Sequence, residues 1–61
     1  MAASPTEVQR YLKGVDYPAT KDDLISTADE NEAPDEVIEQ LQSVNEEQFD
    51  GPEEVMEALE A

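Results

Sequence analysis

"APDEVIEQLQSV", residues 33–44, repeats the frame of "SPTEVQRYLKGV", residues 4–15. Pro5, Glu7, Val8, Leu12 and Val15 fall on Pro34, Glu36, Val37, Leu41 and Val44 at a constant offset of 29. In the first stretch Val8, Tyr11, Leu12 and Val15 stand at i, i+3, i+4 and i+7, which places them on one face of a helix. In the second, Val37, Ile38, Leu41 and Val44 stand at i, i+1, i+4 and i+7 and turn inward on one side of the helix. Proline suits the opening position, where its missing N–H is not needed and its fixed φ matches the helix. An acid follows in each first turn, where negative charge meets the positive end of the helix dipole.

The flanking residues extend this reading. Ser4 predicts an N-cap, and Ser4 with Glu7 has the spacing of a capping box. Gly14 supplies a stop. The connection "VDYPAT", residues 15–20, is short, and Pro18 breaks any regular element beside Tyr17. Thr20 reads as the next N-cap, Asp22 and Asp23 as first-turn acids, and Leu24, Ile25 and Ala28 as an apolar stripe. Residues 45–51, "NEEQFDG", read as a loop whose Phe49 plugs the core. Gly51 or Asp50 then caps a helix that opens with Pro52, carries Glu53 and Glu54 in its first turn, and turns Val55, Met56 and Leu59 inward.

The expected fold is all-α, with helices near 5–17, 20–32, 34–44 and 52–60 and no sheet. Val8, Leu12, Val15, Leu24, Val37, Leu41, Val55 and Leu59 are its expected core. Residues 22–25, "DDLI", also fall on residues 53–56, "EEVM", at an offset of 31. The architecture predicted is therefore one compact bundle of four short helices over residues 1–61, built as a duplicated helical hairpin with repeat halves at about 4–32 and 33–61. Each half carries an apolar face too narrow to be covered alone, and packing the two about a pseudo-dyad closes one core.

Three stretches, "YLKGVDYPATKDDLI" at 11–25, "APDEVIEQLQ" at 33–42 and "FDGPEEVMEAL" at 49–59, resemble a family of small, mainly bacterial and archaeal proteins grouped as domain of unknown function 2795. The resemblance covers about residues 6–60. It implies a compact helical domain and brings with it no catalytic or binding residues. This chain carries more acid and less Lys than the family's typical members.

Composition bounds the chemistry. A chain of 61 residues is one domain near the lower size limit for folding without staples. It has no Cys and no His, which removes disulfides, thiolate or imidazole metal sites and imidazole acid–base catalysis. Seventeen acids against three bases give a formal charge of −14. The three bases all lie in residues 1–30, while residues 31–61 hold eleven acids and no base. Such a field repels phosphate backbones and anionic lipid, so neither nucleic acid nor membrane is an expected partner. The N-terminal residues lack the basic and apolar regions of a cleavable signal, and no apolar run is long enough to span a bilayer. A soluble, cytoplasmic protein is expected. Acid-rich, aromatic-poor composition is also that of disordered chains, but here the apolar residues are periodic.

In "DENEAPDEVIEQ", residues 29–40, Asp29, Asn31 and Asp35 have the spacing of calcium-loop ligands. Pro34 occupies the place that requires Gly, however, Ala33 replaces a ligand and Gln40 replaces the bidentate Glu. The neighbouring acids Asp22/Asp23 and Glu53/Glu54 point in different directions on a helix, which does not suit an acid–base pair. The expectation is a protein that is not an enzyme and takes no cofactor or metal; a metal-dependent enzyme is the lowest-ranked alternative. The first-ranked function is a small acidic interaction or accessory module, a monomer or weak homodimer. Its candidate partner-binding residues are Tyr17, Glu46, Glu47, Phe49 and Asp50. Its protein partner is either unspecified or basic, the latter making the chain a nucleic-acid mimic or a regulator. The acidity also fits a halophilic, salt-rich cytoplasm in which it needs no partner.

Overall fold

The computed structural model describes residues 4–60. Ser4 stands at the N-cap of α1 (Pro5–Arg10), its Oγ accepting the Glu7 N–H at 3.2 Å. The helix is shorter than the expected 5–17. Tyr11 is its C-cap, and the chain then passes through a turn to Gly14 at φ +92°. A side chain at Gly14 would have space but the wrong backbone, since this region is strained for residues with a Cβ. Leu12 is buried from within the turn, so the apolar spacing survives where the helix does not.

After the cis Tyr17–Pro18 peptide comes β1 (Ala19–Thr20), which pairs antiparallel with β2 (Gln48–Phe49) in the register Ala19 to Phe49 and Thr20 to Gln48. The Lys21 N–H continues the pairing by donating to the Glu47 carbonyl at 2.9 Å. This short ladder corrects the expectation of no sheet. Two residues per strand leave no alternation to read, and their partners lie far apart in sequence.

Thr20 is also the N-cap of α2 (Lys21–Glu30). Its hydroxyl accepts the Asp23 N–H while Asp23 accepts the Thr20 N–H, each at 3.1 Å, a full capping box. Beyond Asn31, Glu32 adopts φ +62° and the chain turns into α3 (Asp35–Ser43), with Pro34 at the N-cap. The last helix is α4 (Pro52–Glu60). Its Glu54 N–H donates to the Gly51 carbonyl, and the Glu54 carboxylate reaches back to accept the Asp50 N–H at 3.3 Å.

The principal helix pairs are α2 with α3 and α1 with α4, so packing runs mainly between the halves of the chain and not within them. Val8, Leu12, Leu24, Val37, Leu41 and Val55 are buried as expected. Val15 and Leu59 are only half-buried at the margin, while Ala19, Ala28, Val44 and Phe49 complete the centre. Polar side chains tie the elements together at carbonyls. Gln9 Nε2 donates to Pro52 O at 3.0 Å, joining α1 to α4, and Lys21 Nζ donates to Val44 O at 3.2 Å, joining α2 to the end of α3. Asn31 Nδ2 donates to the carbonyls of Tyr11 and Lys13 at 2.8 and 3.2 Å, which fixes the turn after α1.

Candidate functional site

The acidic half of the chain sets out its carboxylates along α3, the 44–51 connection and α4. Glu46, Glu47 and Asp50 are all exposed. Strand alternation decides the fate of the residues between them: Gln48 points to solvent and Phe49 inward, at 0 % exposure. Phe49 is thus a core residue, and its place in the expected partner-binding set is corrected, because a ring with no accessible surface offers nothing to a partner. Tyr17 is half-buried against the core edge, and burial raises its phenol above the usual value of 10.0.

Antiparallel pairing separates what remains of the set. Lys21 meets Glu47 at one end of the ladder, so Glu46 and Glu47 lie there. Tyr17 precedes β1 and Asp50 follows β2, at the opposite end. The structure does not gather the five candidates into one site.

It gathers a different group instead. Glu54, Glu57 and Ala58, spaced i, i+3 and i+4 on α4, share one helix face with Glu46 opposite, and these four residues line an open hollow of about 410 Å³. A second hollow of about 260 Å³, lined by Ser43, Val44, Asn45, Glu46 and Ala58, adjoins it through the shared Glu46 and Ala58. Glu54 and Glu57 were missed as site residues because both have an ordinary place on a solvated helix face. The i, i+3, i+4 spacing was visible, but the turn that brings Glu46 against it was not. A third hollow, lined by Gly14, Val15, Asp16, Asp23, Ser26, Thr27 and Glu30, lies between the turn after α1 and α2.

The calcium-loop spacing dissolves in three dimensions. Asp29 lies in the last turn of α2, Asn31 spends its amide on two carbonyls, and Asp35 opens α3. Among the described residues no group of three or more Asp or Glu is placed to hold a metal ion. No helix among them is long and apolar enough to cross a membrane.

Fold and surface together define a small, mostly helical acidic domain whose α1–α2 and α3–α4 connections are clipped by a minimal antiparallel ladder. Residues 3–56 match the family described as "Protein of unknown function (DUF2795)", and the chain belongs to that family. No curated protein and no solved structure matches it.

Proposed function

We propose that this chain is a non-catalytic interaction module that presents an acidic surface to a basic protein partner, without cofactor or metal. The observation that carries the reading is how the side chains are divided. Phe49, Leu24, Leu41, Val8, Val37 and Val55 are committed to the core, while Asp35, Glu36, Glu39, Glu46, Glu47, Asp50, Glu53, Glu57 and Glu60 stand exposed in a half of the chain that contains no base. Such a surface speeds encounter with positive partners and repels nucleic acid and anionic membranes. A chain without Cys suits a reducing compartment, so the proposal sets it in the cytoplasm.

Titration with a short arginine-rich peptide, followed by amide chemical shifts, tests this. Saturable shifts along α3, the 44–51 connection and α4 are expected at low salt. An absence of saturable binding even at low ionic strength would refute the reading.

A second reading has its own support: the acids are spread over all four helices, with only three bases in the chain. On that reading the charge keeps the surface hydrated in concentrated salt and carries no recognition. Uniform acidity across the proteins of the same cell would favour it.

We also infer that the fold arose by duplication of a helix–strand–helix unit. Exchanging the halves turns the α1–α4 pair into the α3–α2 pair and returns the β1–β2 pair to itself, which is the behaviour of a pseudo-dyad. Experimental coordinates in which the angle between α1 and α2 differs grossly from that between α3 and α4 would overturn the duplication.

A further inference from the structure

We propose that two copies of this chain exchange halves: residues 4–31 of each close the core against residues 35–60 of the other, with residues 32–34 opened into a hinge. The inference stands apart from any basic partner. The pairs that pack across the molecule, α2 with α3, α1 with α4 and β1 with β2, each join the first half to the second, while α1 with α2 and α3 with α4 are not among the principal pairs. Of the ten buried apolar residues, five come from each half. A half drawn away from the other therefore exposes a whole core face, and the surface that fits this face is the second half, whether of its own chain or of another copy.

The link between the halves is built to open. Glu32 is held there at φ +62°, which is strained for a residue with a Cβ, and straightening the link releases that strain. The backbone bonds lost on opening are those that shape the turn, from the Glu32 N–H to Asp29 O and from the Ala33 N–H to Ala28 O. Asn31 keeps its amide on the carbonyls of Tyr11 and Lys13, because all three lie in the exchanged unit. The bonds that cross between halves, Gln9 Nε2 to Pro52 O, Lys21 Nζ to Val44 O and the Lys21 N–H to Glu47 O, form again between chains. Pro34 sets the shape of the open hinge. Its ring bars α2 from running on into α3 as one helix, and it biases Ala33 toward extended backbone. Repulsion between two bodies each at −14 opposes the exchange, so concentrated salt favours it.

The test is to warm the intact, concentrated chain through its melting transition in low and in molar sodium chloride, cool it, and measure mass by size-exclusion chromatography with light scattering. A dimer that increases with protein concentration and with salt is expected. In dimers mixed from isotope-labelled and unlabelled chains, nuclear Overhauser contacts between chains should join Ala19 to Phe49 and α1 to α4. Interchain contacts confined to exposed residues would overturn the exchange and leave an ordinary surface dimer. Glu32→Gly relieves the strain in both closed chains and should lower the dimer association constant about thirtyfold. Glu32→Ala keeps the Cβ and should not lower it; equal falls in the two variants would overturn the hinge. Deleting Glu32 and Ala33 leaves too little chain to reverse direction between α2 and α3, so the shortened protein should be dimeric even when dilute. If it folds as a monomer, the proposal fails, and if it does not fold, the labelled dimers of the unaltered chain decide. An unaltered chain that stays monomeric at every salt and protein concentration would also overturn the exchange, and would leave the reading of a basic partner untouched.

Discussion

The Ala33 N–H donates to the Ala28 carbonyl at 2.9 Å, and this bond holds the intervening Glu32 in the left-handed region at φ +62°. With the Glu32 N–H donating to Asp29 O at 3.0 Å, the pair forms a Schellman end to α2. Ala33 then packs against the core that contains Ala28, which is the apolar contact this motif favours.

The left-handed position is normally glycine's, because a Cβ there crowds the following carbonyl. Glu32→Gly should therefore stabilise the fold by about 1 kcal/mol. That corresponds to a rise of about 4–8 °C in melting temperature for a domain this small. Glu32→Ala removes the same negative charge but keeps the Cβ. Thermal melts showing equal gains for Ala and Gly would assign the effect to charge and not to φ.

Phe49 is the largest of the fully buried side chains and enters the core from a two-residue strand. Phe49→Ala should cost about 3–5 kcal/mol through lost burial and the cavity left behind. A core of this size rarely supplies more than about 3–5 kcal/mol in total, so the variant should be largely unfolded at room temperature. Phe49→Leu should remain folded. Far-ultraviolet circular dichroism and amide-shift dispersion check both, and a folded Phe49→Ala would show that the ring is not central.

What could be read from the sequence depended on how local each signal was. Ser4 and Thr20 announce their helices because a cap is written within four residues, and Pro52 likewise opens α4 where expected. The end of α1 misleads because Leu12 and Val15 keep helical spacing through a turn that is no longer helix. Ala19 joins the core through pairing with Phe49, thirty residues away, and no local pattern reports such a contact. Glu32 occupies a position whose usual marker is glycine, so the turn there was invisible. The same limit applies to the site: Glu46, Glu47 and Asp50 are readable as exposed acids, but the meeting of Glu46 with Glu54 and Glu57 depends on the path of the connection.

Tyr17 gives the chain an alkaline dependence with a definite sign. Burial raises its phenol pKa in the folded state, so the folded chain holds this proton at pH values where the unfolded chain has begun to release it. The stabilising contribution is complete below the unfolded value of 10.0 and is lost as pH rises through the higher folded value. Stability should fall above about pH 10, and Tyr17→Phe should show a shallower fall over the same range. Denaturant melts between pH 8 and 11, with phenolate absorbance recorded in parallel, measure it. An identical alkaline slope in the two proteins would remove Tyr17 from the account.

Charge repulsion among seventeen acids should make the stability of this fold depend on salt. The radius of gyration is 9.9 Å, close to the Debye length of about 10 Å at 0.1 M salt, so carboxylates across the whole domain repel one another there. At 1 M the length falls to about 3 Å and only immediate neighbours interact. Salt also weakens a favourable term, because first-turn acids such as Asp22, Asp23, Asp35, Glu36, Glu53 and Glu54 each gain about 0.3–1 kcal/mol from a helix dipole at low ionic strength. Repulsion should win, since it acts among all seventeen acids with only three bases to offset it, and residues 31–61 have none. The melting temperature should climb steadily from low to molar sodium chloride at neutral pH. Replacing Glu39, Glu57 and Glu60, which lie outside the first turns, with Gln should raise the low-salt melting temperature and flatten the climb. A melting temperature that stays flat or falls with added salt in the unaltered chain would mean that the dipole term dominates and that repulsion does not limit the fold.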